Sequence, residues 1–86
     1  MTLTTSKGKT FDIDWMWGPL GPDEYLMLEY ADDRPLSKIA KDFEGCKSFH
    51  RESDTEGDMD WKGYTDLCSI GRAAPGKVQI LLRQPE

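Results

Sequence analysis

The stretch "HRESDTEGDMD", His50 to Asp60, places five carboxylates within nine residues beside the only histidine of the chain. Side chains of these types can ligate a cation, move a proton, or present negative charge to a basic partner, and spacing discriminates among the three. A calcium loop of the EF-hand type needs acids at loop positions 1, 3 and 5, glycine at 6 and glutamate at 12, so that the turn wraps oxygens around one ion. Counting from Glu52 puts Gly57 at position 6 but Gly63 at position 12, and counting from Asp54 puts Met59 at position 6. Neither frame fits. Zinc requires three or four closely spaced ligands, and His50, Cys46 and Cys68 show no C-x2-C or H-x3-H pattern. No metal and no cofactor are expected.

Enzymatic chemistry is equally hard to place. There is no G-x-S-x-G elbow and no Cys–His signature to activate a nucleophile. Asp58-Met59-Asp60 has the form of the carboxylate pair in metal-dependent sugar transferases, but those enzymes need a nucleotide-binding domain. The segment "GPLGPD" is too rich in proline to cradle phosphates as a glycine loop does. With no partner in view, His50 reads as a strand residue, and the chain as non-enzymatic.

The acids themselves remain. Glu52, Asp54, Glu56, Asp58 and Asp60 share one parity, so extended backbone would project them from one face about 6.8 Å apart. A hairpin turning at Gly57 would instead bring the acids of its two arms together, which like charges resist. Two readings stand side by side: a solvated loop that keeps a small protein soluble, or a carboxylate array that meets a Lys/Arg-rich protein surface in place of a phosphate backbone. A second block, Asp23, Glu24, Glu29, Asp32 and Asp33, extends the candidate partner-binding set. Neither block contains a base, and the rest of the chain is weakly positive although the net charge is −5. Direct nucleic-acid binding, which needs clustered Lys and Arg, is not expected.

These residues must be positioned by one domain, because 86 residues cannot build two cores. A chain of this size buries roughly 60–65% of its unfolded surface, which leaves little room for a deep cleft. No run is apolar enough to span a membrane, and "MTLTTSKGKT" lacks the apolar core of a signal peptide, so action in the cytoplasm is expected. Cys46 and Cys68 are too few and too far apart for a disulfide framework and are read as buried, reduced thiols.

Along the chain, "KTFDIDWMW" alternates Phe11, Ile13, Trp15 and Trp17 with Thr10, Asp12, Asp14 and Met16. That period of two predicts a strand with all four large side chains in the core; the alternative is an exposed Trp15–Trp17 stacking platform, which the sign of the charge would make a protein-binding patch before a nucleic-acid one. "EYLMLEY" predicts a second strand. "ADDRPLSKIAKDFEG" predicts the helix: Pro35 suits its first turn, Leu36, Ile39, Ala40 and Phe43 form one apolar stripe, and Gly45 ends it. Asp32 and Asp33 would lie at its positive end. "CKSFHRE", "MDWKGYTDLCSI" and "VQILLRQ" predict three further strands. The expected fold is α+β, a mostly antiparallel sheet of about five strands in the order ββαβββ with one helix packed on one face.

At "LTTSKGKTF", "PLSKIAKDFEG" and "WKGYTDL" the chain resembles small, mostly uncharacterised proteins encoded by phages and prophages of Gram-positive bacteria. The resemblance implies a non-enzymatic, single-domain phage protein, acting in the host cytoplasm or located in the virion. Together with the acid blocks it leads to one principal expectation, an interaction module whose acids bind a basic protein surface. Such a module would inhibit a host nucleic-acid-binding defence enzyme by phosphate mimicry, as anti-CRISPR proteins do. The alternative is a head or tail component associating through edge strands such as "VQILLRQ".

Overall fold

Side-chain alternation and the turns between runs determine which segments extend here. The computed structural model describes residues 1–18, 25–63 and 66–84. Among the described residues lie seven strands and one helix: β1 (Thr2–Thr5), β2 (Thr10–Trp17), β3 (Leu26–Ala31), α1 (Leu36–Phe43), β4 (Ser48–Glu52), β5 (Met59–Lys62), β6 (Asp66–Ala74) and β7 (Lys77–Arg83). The strands form one antiparallel sheet in the order β5-β4-β1-β2-β3-β7-β6, curled into a half-barrel.

The expected five-stranded ββαβββ sheet with a helix on one face is therefore incorrect, and two local features account for the difference. The segment "TLTT" carries one large apolar residue and gives almost no hydrophobic signal. It is nevertheless a central strand, because Leu3 and Thr5 fill the interior while its backbone pairs with β2 on one side and β4 on the other. The stretch Met59 to Ile70, read as one strand, is instead two strands, β5 and part of β6, on either side of Gly63. Gly63 has φ of 84°, a left-handed conformation that interrupts a strand and that only glycine adopts freely. A further consequence is that "VQILLRQ" is no edge: β7 is paired on both sides, by β3 and β6.

The concave side holds the core. Leu26, Leu28 and Tyr30 of β3, Val78, Ile80 and Leu82 of β7, Phe11 and Ile13 of β2, Phe49 of β4 and Trp61 of β5 all point inward. The helix closes the open side, packing against β6 and inserting the expected stripe, with Ile39 and Phe43 fully buried. Gly45, with φ of 75°, ends it as anticipated. Phe43 stacks on Phe11 with ring centroids 5.0 Å apart and lies 6.2 Å from Phe49, so one helical side chain joins β2 to β4. Truncation at the position where the helix seals the half-barrel leaves a cavity that neither strand can close. Phe43→Ala is expected to lower unfolding free energy by about 3–5 kcal/mol, measured by denaturant titration, with the midpoint shifting and the slope unchanged.

Candidate functional site

The acid-rich segment is a hairpin. β4 and β5 pair with His50 opposite Asp60 and Arg51 opposite Met59, and the intervening turn carries Asp54, Glu56 and Asp58. Strand alternation turns Phe49 and Arg51 inward and His50 and Glu52 outward. The outward histidine therefore sits among carboxylates from both arms: Nδ1 lies 2.5 Å from Asp60 Oδ1, and Nε2 lies 3.8 Å from Glu52 and 3.9 Å from Asp58. The reading of His50 as a residue without partners is corrected by this geometry. Its pKa is raised above the ordinary histidine value, first by the hydrogen bond to Asp60 and then by the nearby charges of Asp60, Asp58 and Glu52. The repulsion expected between the arms of such a hairpin is thus relieved by one protonatable ring.

Each acid block adjoins an arginine in the sequence, and the fold turns both arginines toward carboxylates. Arg51 is only 5% exposed. Its guanidinium lies 5.5 Å from the centre of the Trp61 ring and donates to Glu56 Oε2 at 2.9 Å. Glu56 is therefore a structural counter-ion and not a free probe. Arg34 grips Asp32 with both Nε and Nη2 and reaches the largely buried Asp42 at 2.6 Å. Arg72 on β6 donates to the backbone carbonyls of Asp32 and Arg34. Hydrogen bonds from Arg34 hold the Asp32 carboxyl below the usual range. Asp32 thus braces the approach to α1 rather than capping it, and α1 has no side-chain cap.

A shallow concavity of about 460 Å³ beside this cluster is lined by Lys9, Asp12, Asp14, Tyr30, Arg34 and Asp42, among others. Its charges are largely consumed internally, Asp42 by Arg34 and Lys9, and Asp14 by Lys77. The Tyr30 hydroxyl is buried and lacks a hydrogen-bond partner among the described residues. Burial, followed by the charge of Asp32, pushes its pKa upward.

The largest departure from expectation is on β2. Pairing with β3 is irregular between Ile13 and Trp15. This bulge inserts Asp14 and reverses the parity of the residues that follow. Phe11 and Ile13 point inward, but Met16 takes the next inward place, while Trp15 is 39% and Trp17 54% exposed. The expectation of a four-residue core stripe fails at this point. Asp14 is held by an ion pair with Lys77, which pairs opposite Ala31 on the strand between them, so the small Ala31 leaves room for the bridge. A similar irregularity between Leu67 and Ser69 leaves Cys68 exposed, whereas Cys46 is buried as expected.

Of the sequence-derived acids, Glu52 and Asp60 on the hairpin and Glu29 on β3 all stand on the outward side of the sheet, where Asp12 joins them. Asp54 and Asp58 occupy the exposed turn and Asp33 the exposed link to the helix. Asp23 and Glu24 lie outside the described residues. Asp12 is on the polar face that the alternation of "FDID" predicts, although it was not among the candidate acids, whereas Trp15 and Trp17 were expected in the core because nothing in the sequence marks the bulge.

No group of His, Cys, Asp and Glu among the described residues is arranged to hold a metal ion, and no described helix is long and apolar enough to cross a membrane. Comparison with family models, curated proteins and solved structures finds no match.

Two outcomes follow from the hairpin. Because the folded pKa of His50 is raised, its contribution to stability is fully present below the unfolded value of about 6.5 and is lost as pH rises through the folded pKa. Thermal melts across this window should show the wild type losing stability with rising pH relative to His50→Gln, and a histidine ring titration by NMR should give a midpoint above the ordinary value. Glu56→Gln removes the anion facing a buried guanidinium and should destabilise by about 1–3 kcal/mol in denaturant melts, more than Glu52→Gln at the neighbouring exposed position.

Proposed function

We propose that this chain is a non-enzymatic interaction module of phage type, whose carboxylates bind a Lys/Arg-rich surface of a partner protein and thereby occupy a site built for phosphates. The supporting observation is how the cations are distributed. The chain has 11 Lys and Arg, yet among the described residues none forms an ion pair with Glu29, Glu52, Asp54, Asp58 or Asp60. Arginines adjacent to the acid blocks are turned onto Asp32, Asp42 and Glu56 instead. Among the described residues the outward carboxylates Glu52, Asp58 and Asp60 of the hairpin have His50 alone beside them, so they gain from meeting an external cation, and such complementarity acts mainly on association rate and partner choice.

The contact set is narrower than the ten sequence-derived acids, since Glu56 and Asp32 are engaged internally. Glu52, Asp54 and Asp58 are the groups whose charge can be removed without disturbing the interior. The variant Glu52→Gln/Asp54→Asn/Asp58→Asn should keep its melting free energy within about 0.5 kcal/mol. In pull-downs from lysate it should capture less than about a tenth of the partner retained by the wild type. Wild-type capture should weaken between about 0.05 and about 0.5 M salt and be displaced by added duplex DNA. Undiminished, salt-independent capture by the triple variant would refute the reading.

A further inference from the structure

The outward side of β2, β3 and β7 carries a second feature that the acid hairpin does not explain. Two cross-strand rows run over it. Trp17 lies opposite Met27, which lies opposite Leu81; in the adjacent row Trp15 lies opposite Glu29, which lies opposite Gln79. Directly opposed residues on one face stand about 4.5–5.5 Å apart, so these side chains form a continuous patch. Tyr25, 43% exposed, precedes the strand by one residue. The core lies on the other side of this sheet, and Trp15 and Trp17 are displayed here through the Asp14 bulge rather than left over from packing.

The geometry points to this patch as a docking surface for a basic protein segment that presents an arginine flanked by apolar side chains. Charge decides the occupant. The other outward acids nearby each have a cation beside them, Asp12 the N-terminal ammonium at 4.0 Å, Asp14 Lys77 and Asp66 Arg83. Among the described residues Glu29 accepts a hydrogen bond from the neutral amide of Gln79, at 3.4 Å, and has no Lys or Arg partner. An uncompensated carboxylate opposite one indole and next to another matches a guanidinium, which stacks on tryptophan faces and pairs with a carboxylate in the same pose. The flanking Met27 and Leu81 call for apolar neighbours around that arginine. A second copy of the chain fits less well, because a two-fold contact over this face would bring two unpaired Glu29 carboxylates into one desolvated patch. A polysaccharide would use the indoles but gains nothing from the charge.

This inference rests on the reading of a basic partner and assigns it a second contact, apart from the hairpin. The test is fluorescence anisotropy with a labelled, end-blocked Leu-Arg-Leu peptide, its norleucine counterpart in place of arginine, and labelled chitohexaose, together with sedimentation of the protein alone. Trp17→Ser and Glu29→Gln should each weaken arginine-peptide binding by about tenfold. The norleucine peptide should bind at least about tenfold more weakly than the arginine peptide, and the Glu52/Asp54/Asp58 triple variant should bind as the wild type does. Peptide binding that survives Trp17→Ser and Glu29→Gln but is lost in the triple variant would overturn this inference and leave the hairpin reading standing. Preference for chitohexaose, self-association abolished by Trp17→Ser, or no binding by any probe would each overturn it. Loss of partner capture by none of the hairpin changes, with peptide binding intact, would sink the hairpin reading alone.

Discussion

Lys62 and Asp66 belong to strands at opposite edges of the sheet, yet only three residues separate them. An extended chain of that length spans about 14 Å at most, whereas the edges of a flat seven-stranded sheet would lie about 29 Å apart. The sheet must therefore curl until its two edges approach, and most other features follow from that closure. Curling creates one concave side, which a single short helix is wide enough to seal with Ile39 and Phe43. It also separates the side chains into an enclosed set and an outward set, so that strand parity alone decides which groups meet solvent.

Among the described residues the two charged groups that are buried, Arg51 and Asp42, are each given a partner of opposite sign. Each pairing withdraws charge from the surface. Glu56 is drawn toward Arg51 beside the Trp61 ring, and Arg34 is drawn between Asp32 and Asp42. The described acids of the two blocks are thereby sorted into carboxylates that hold the fold and carboxylates that face outward with no Lys or Arg partner among the described residues. It is this sorting, more than the number of acids, that leaves the hairpin tip and Glu29 without a Lys or Arg partner among the described residues.

The helix was legible because its stripe of Leu36, Ile39, Ala40 and Phe43 has a period that no strand reproduces, and Gly45 ends it through a conformation that other residues resist. Strands β3, β4 and β7 were legible from alternation. Strand β1 was not, since "TLTT" is held by hydrogen bonds on both sides and not by hydrophobicity. The split at Gly63 was invisible for a related reason: a glycine within an alternating run reads as a tolerated interruption until pairing partners are known. At the site, the density of acids was plain, but Asp60, the hydrogen-bond partner of His50, lies on the opposite arm of a hairpin whose register only pairing reveals.

What the sequence by itself determined is the material of the surface: an acidic chain with one histidine, carboxylates in two blocks, and no spacing suited to calcium, zinc or a catalytic nucleophile. Tertiary structure alone decided which of those groups act outward. A one-residue bulge at Asp14, held by Lys77 across Ala31, moved two tryptophans from the expected core to the exterior. Alternation is a local rule with a period of two, and a single inserted residue reverses it for everything downstream. Such an insertion is specified by pairing with a neighbouring strand, a long-range contact that a local pattern does not contain.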